Sequence, residues 1–223
     1  MKTLSAFDVI GPSMVGPSSS HTAGAARIGA VARRLTGDDP VSAEFTLFGS
    51  FAHTYAGHGT DRALVAGLLG LAPDDERLPF SFELAAQQGV SFRFRTSEAP
   101  TEHPNTVGIR LTGRTGAVTR ITAVSLGGGA IMITQLQGVD VSITGEYPTL
   151  MVEHKDQPGM IGEITRLLGD RDINSAFMRV FRHERGGQAF MVIETDHMIP
   201  PHIVQDVASL SRGIGGVYII EGV

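Results

Sequence analysis

Three short stretches gather the side chains able to do chemistry. The first, Gly11–Gly29, runs GPSMVGPSSSHTAGAARIG and places Ser18, Ser19, Ser20, His21 and Thr22 directly before an alanine-rich segment. Prolines 12 and 17 fix backbone angles and glycines 11 and 16 permit unusual ones, so a preset loop is expected, able to aim side chains. Hydroxyls and unpaired amides at a helix N-terminus favour an anion, a carboxylate or a phosphate. His21 would then stand beside that anion, placed to donate to it or to exchange a proton with what it carries. Plain N-capping needs one such residue, and here there are five.

The second stretch, HTYAGHGTDRA, offers His53, His58, Thr60 and Asp61 with glycines at 57 and 59, and reads as a further anion cradle or as a glycine loop capped by Thr60. The third, EHPNT, sets His103, Asn105 and Thr106 around Pro104 ahead of a strand; it can bond a small polar ligand or be only a turn. Histidines 21, 58 and 103 could ligate zinc, but they lack the short helical spacing of a zinc helix, so no metal is assigned. A Ser-His-Asp hydrolase is possible on inventory, yet no Gly-x-Ser-x-Gly elbow is present.

The elements that must position these groups follow from pattern. Residues 24–36 form an amphipathic helix expected to begin after Thr22, VSAEFTLFGSFA alternates like a strand, and TDRALVAGLLGL reads as a helix capped by Thr60 or Asp61. FELAAQQG is helical, VSFRFRT and TVGIRLTG are strands, and AVTRITAVSLGGGAIMITQLQGVDVSITG reads as successive strands broken by a glycine-rich bend. From residue 148 onward the order becomes strand, helix, strand, strand, helix, strand, an antiparallel sheet with both helices on one face. The expected fold class is therefore α+β, with a mixed first domain at 1–147 and a ferredoxin-like βαββαβ domain at 148–223.

Composition narrows the function. The 223 residues carry a formal net charge of -5, which argues against a nucleic-acid partner, and no apolar run is long enough to cross a bilayer. The N-terminus lacks the apolar core of a signal peptide, so a cytoplasmic location is the expectation. There are no cysteines, hence no disulfide, no thiol nucleophile and no thiolate-held metal built from this chain alone.

The segments FDVIGPSMVGPSSSHTAGAARIG, GSFAHTYAGHGTDRA, HPNT and SLGGG, in this order, closely resemble the beta subunits of iron-sulfur-dependent bacterial L-serine dehydratases. The resemblance implies a lyase that converts L-serine to pyruvate and ammonia. It also implies a 4Fe-4S cluster on a separate alpha subunit, and a beta chain that is inactive alone. It makes His21 the candidate base, with Ser18, Ser19, Ser20 and Thr22 holding the substrate carboxylate or orienting the imidazole, and His58, Thr60, His103, Asn105 and Thr106 near the ligand. The first domain also resembles the allosteric substrate-binding domain of phosphoglycerate dehydrogenases, which keeps open a non-catalytic alternative: a regulatory protein that binds an anion there and senses an amino acid through its second domain. Residues 148–223 resemble an ACT domain. That resemblance implies self-association through sheet edges and, unless the domain only dimerises, an amino-acid site formed between two copies at Asp156, Pro158 and Gly159, with Asn174 across from them.

Overall fold

The computed structural model describes residues 13–222, which form two compact units dividing between Gly138 and Val139. Gly11 and Pro12, the first half of the expected preset loop, lie outside the described residues. The rest of that loop is pinned: the Val15 amide donates to the Pro73 carbonyl at 2.9 Å, and Gly16 (φ +142°) lies so close to Thr22 that a Cβ there would meet Oγ1 at 2.4 Å.

The first unit opens with a π-helical turn, Ser19–Gly24, that continues into α1 (Ala25–Thr36). Ser19 to Thr22 are thus already helical rather than loop. Ser18 caps this turn: its hydroxyl accepts from the His21 amide, and its carbonyl accepts from the Thr22 amide. Strand β1 (Pro40–Phe48) follows, then α2 (Gly49–His58) and α3 (Thr60–Leu68). The sequence reading placed residues 49–52 at the end of a strand and residues 53–59 in a loop. Instead the chain turns at Gly49 into a helix that runs through Gly57 and stops at left-handed Gly59. Gly59, not Thr60 or Asp61, occupies the N-cap of α3, and the Thr60 hydroxyl is buried without a partner.

Helix α4 (Ser81–Gln87) leads to β2 (Ser91–Ser97), β3 (Asn105–Gly113), β4 (Val118–Gly127) and β5 (Ala130–Leu136). Within the first unit the strand order is β2-β1-β3-β4-β5. Strands β1 and β2 pair in parallel and the other neighbours are antiparallel. Phe45, Leu47, Leu111, Ile131 and Ile133 from the sheet are buried together with Ile28, Leu35, Leu64 and Leu68 from the helices. Helices α1 and α3 meet backbone to backbone: a Cβ on Gly67 would sit 1.8 Å from the Ala26 carbonyl oxygen, and one on Gly29 would sit 2.3 Å from that of Leu64. This contact fixes the two helices against each other, and the π-turn touches both α2 and α3.

The second unit begins with the short strand β6 (Val139–Ile143). It continues as β7 (Thr149–Lys155), α5 (Met160–Asp170), β8 (Ser175–Arg182), β9 (Gln188–Thr195), α6 (Ile203–Ala208) and β10 (Ile214–Ile220). This is the order expected from the sequence, and the sheet runs β10-β7-β9-β8 with every pair antiparallel. Leu150, Val152, Met191 and Ile193 from the sheet form one core with Met160, Ile164, Leu168, Ile203 and Val207 from the helices.

Candidate active site

His21 is the centre of the first unit's polar cluster. It is 8% exposed, and both ring nitrogens have a serine hydroxyl within reach: Ser18 Oγ at 3.2 Å from Nδ1 and Ser50 Oγ at 3.3 Å from Nε2. The rings of Phe51 and His58 stand edge-on to it, with centroids at 5.2 and 4.7 Å. Burial, and secondarily the neighbouring His58, hold its pKa below the usual 6.5, so the imidazole is neutral at neutral pH and one nitrogen is free to accept a proton.

The four sequence motifs close into a ring around this histidine. Ser125 of the SLGGG stretch donates its hydroxyl to the Ser20 carbonyl at 2.9 Å, and its own carbonyl accepts from Asn105 Nδ2 at 3.3 Å. Asn105 bridges to Gly49, and the Phe51 amide donates to the Pro104 carbonyl, which docks the HPNT turn on the first turn of α2. The next residue along that helix is Ser50, back at His21. The contact is tight on the opposite side as well, because a Cβ on Gly24 would stand 2.1 Å from Ser125 Oγ.

Most of the expected residues therefore converge, but in different ways. His21, Ser18 and His58 touch directly, and Ser20 and Asn105 join through Ser125. His103 and Thr106 instead build the turn: His103 Nδ1 accepts from the Asn105 amide at 3.2 Å, and the His103 carbonyl accepts from the hydroxyls of Thr106 and Thr101. Ser19 lies in the first residue of the π-turn. Thr22 and Thr60 are buried with no partner for their hydroxyls. His53 faces away toward Glu98, 4.0 Å off, and lines a separate cavity of about 310 Å³ with Gly49, Ser97, Thr101 and Pro104. Asp61 is half-buried, and desolvation raises its pKa.

Three participants escaped the sequence reading: Ser50, Ser125 and Phe51. Ser50 and Ser125 stand inside quoted motifs, but their task is to bridge elements 29 and 105 residues apart, which no local pattern encodes.

In the second unit Asp156 and Asn174 are already engaged. Asp156 accepts from Arg182 Nη1 at 2.7 Å and from the Gly186 amide at 3.0 Å, and these two bonds, the amide first, hold its pKa below the usual carboxylate range. Asn174 Nδ2 donates to Asp196 at 2.6 Å. Gly159 (φ +92°) caps α5, directly after Pro158. The strand register puts Asp156, next to Lys155 and Gln188, at one end of the sheet, and Asn174, before Ser175 and Thr195, at the other. Within one copy the loop and Asn174 lie at opposite ends of the sheet, because the crossover through α5 returns the chain to the starting end; the site that the resemblance implies is one shared between two copies. Two residues before Asp156, His154 Nε2 is buried without a partner.

Comparison with known proteins agrees with this arrangement. Residues 5–81 match the family described as serine dehydratase beta chain, and residues 149–212 match the ACT domain family. The chain is 43% identical over 210 residues to a probable L-serine dehydratase beta chain of Bacillus subtilis, covering 94% of this chain and 95% of that one. The chain belongs to the serine dehydratase beta-chain family. A second member, the L-serine dehydratase beta chain of Peptoniphilus asaccharolyticus, is 38% identical over 220 residues, 98% of this chain and 99% of that one. The D-3-phosphoglycerate dehydrogenase of Bacillus subtilis shares 31% identity over 130 residues, 57% of this chain but only 24% of that protein. Beta-chain relatives thus match from end to end, whereas the dehydrogenase shares a module. The His21 ring is drawn from the part of the chain that matches both beta chains, and the ACT unit from the part that carries its own family match.

Proposed function

We propose that this chain acts as the beta chain of an L-serine dehydratase, supplying the proton-handling side of the reaction to a complex with a separate alpha chain. The observation that carries the reading is the closed ring of motif residues around a buried, neutral His21.

The chemistry follows from the groups present. A base must take the proton from the alpha carbon of serine as the hydroxyl leaves the beta carbon, giving aminoacrylate, which tautomerises to the imine and hydrolyses to pyruvate and ammonia. A neutral imidazole with a depressed pKa is a competent acceptor at pH 7. The hydroxyls of Ser18 and Ser50, one at each ring nitrogen, orient the imidazole and can donate to or accept from it in either tautomer as the proton moves. His58, edge-on to His21 at the exposed end of α2, disfavours protonation of His21 by like-charge repulsion and so helps keep the base neutral. Ser19 and Ser20, in the first turn of a helix that starts here, offer amides to the substrate carboxylate.

The 4Fe-4S cluster implied by the family resemblance does not fit this chain: it has no cysteine, and among the described residues no three His, Cys, Asp or Glu side chains converge. The cluster belongs, in this reading, to the alpha chain. Mixing the two purified chains under anaerobic conditions is expected to release pyruvate from L-serine, and this chain alone is expected to release none. Full-rate pyruvate release by this chain alone contradicts the proposal.

The second unit assembles the enzyme. Strand β8 is an edge strand with Phe177 and Met178 exposed at 59% and 40%, a surface suited to pairing with a second copy. An amino-acid site that uses both the Asp156–Gly159 loop and Asn174 then takes one from each copy. Sedimentation is expected to report self-association that Val180→Lys on β8 weakens; an unchanged assembly contradicts it.

A further inference from the structure

The β4–β5 turn packs on the helix row that starts at Ser20, the residue before the candidate base, and one residue there is unaccounted for. Arg27 is half-buried on α1, and burial holds its pKa below the usual arginine value without removing its charge. Its Nη1 donates to the Gly129 carbonyl at 2.8 Å. No carboxylate among the described residues lies within ion-pair distance of it, whereas Arg33, Arg77, Arg93, Arg171 and Arg182 each have one. A half-buried guanidinium joined to a single neutral carbonyl keeps donors that still lack a charged acceptor among the described residues.

What surrounds Arg27 directs those donors. Gly127, Gly128 and Gly129 all have left-handed φ (+101°, +60° and +83°), a run that residues bearing a Cβ do not sustain, so the turn is free of side chains where it meets the helix. The point where a Cβ of Gly127 would stand is 3.7 Å from Ser20 Oγ. Ser125, at the start of the turn, grips the Ser20 carbonyl, and Arg27 grips the far end at Gly129. Ser20, Gly24 and Arg27 therefore form one strip of the helix facing the glycine turn, beginning one residue from His21. Gly24 is closed off by Ser125, so what stays open is the Ser20 hydroxyl at one end, the side-chain-free backbone of the glycine turn and the half-buried Arg27 cation at the other, the set of groups that a small carboxylate needs.

We propose that Arg27 is the carboxylate-recognising residue of this site: its guanidinium, fixed by the Gly129 carbonyl, takes the substrate carboxylate over the Gly127–Gly129 turn and presents the alpha carbon to His21. The proposal rests on the dehydratase reading and adds to it the residue that selects for an amino acid over its neutral derivatives.

The test uses the two-chain enzyme with L-serine and with L-serinamide, which lacks the carboxylate charge. Arg27→Gln is expected to raise KM for L-serine by about 10- to 100-fold, the loss tied to one charge-assisted hydrogen bond, and to cut the preference for serine over serinamide by a similar factor. Arg27→Lys, which keeps a charge without the fork, is expected to recover part of that preference. An unchanged preference in both variants overturns the proposal, whether their rates hold or fall together, since a merely structural role would depress both substrates alike. The wild-type complex separates the two levels: if it forms no pyruvate from serine, the dehydratase reading fails; if it does and the preference does not move, only the assignment of Arg27 fails.

Discussion

The two units treat their polar residues in opposite ways. In the first, the histidine, the two serines that hold it and the buried hydroxyls of Thr22 and Thr60 stand at helix starts, with hydrogen-bonding capacity to spare. In the second, the residues expected to hold a ligand are tied into the fold itself, Asp156 to Arg182 and Gly186, Asn174 to Asp196, and among the described side chains of that unit His154 Nε2 is the one buried group without a partner. Buried polar capacity is costly to leave unmet, so where it persists it marks a place that a ligand or partner completes. The first unit is built around chemistry, the second around its own sheet.

That contrast can be broken first through glycines. Gly67→Ala puts a methyl 1.8 Å from the Ala26 carbonyl, so α1 and α3 must separate, and the cost is expected to reach about 3 kcal/mol by urea denaturation of the first unit. Gly162→Ala on the exposed side of α5 meets nothing within 4 Å and is expected to stabilise the second unit by about 0.5–1 kcal/mol. Opposite signs support a first unit that is tight beneath its site; equal effects refute it.

Ser50→Ala tests the ring with a smaller effect. It removes the partner of one nitrogen of His21 while leaving Ser18 in place, and is expected to lower kcat about tenfold in the two-chain enzyme with KM little changed, because the orientation of the ring suffers rather than binding. A variant with wild-type kcat removes Ser50 from the account.

A third and gentler probe is pH. A base must be neutral to act, and burial lowers the His21 pKa, so activity is present above that depressed pKa and is lost as pH falls through it. The acid limb of kcat/KM is expected below pH 6.5, and a limb at or above that value contradicts a desolvated base.

How much of this was legible in the sequence differs between the units for a physical reason. The second unit's order was readable because its elements carry their own apolar signatures: a short continuous apolar run along β9, and Ile164 and Leu168 four residues apart on α5. Helix α2 was not, because GSFAHTYAGH buries only Phe51 and ends in glycines, so the helix is held from outside by the HPNT turn and the π-turn. The π-turn was equally hidden, since serines before a helix read as a cap or a loop. Site membership of His21, His58 and Asn105 was visible in residue type, while the bridging by Ser50 and Ser125 exists only once distant segments meet.

The central claim, that His21 takes the alpha proton, is tested most directly by the turnover of L-serine in a complex of the alpha chain with the His21→Ala form of this chain. The account predicts a kcat reduced by about 100-fold or more, with assembly of the complex intact. Pyruvate formation within about threefold of wild type, where a base worth two orders of magnitude has been removed, would contradict it.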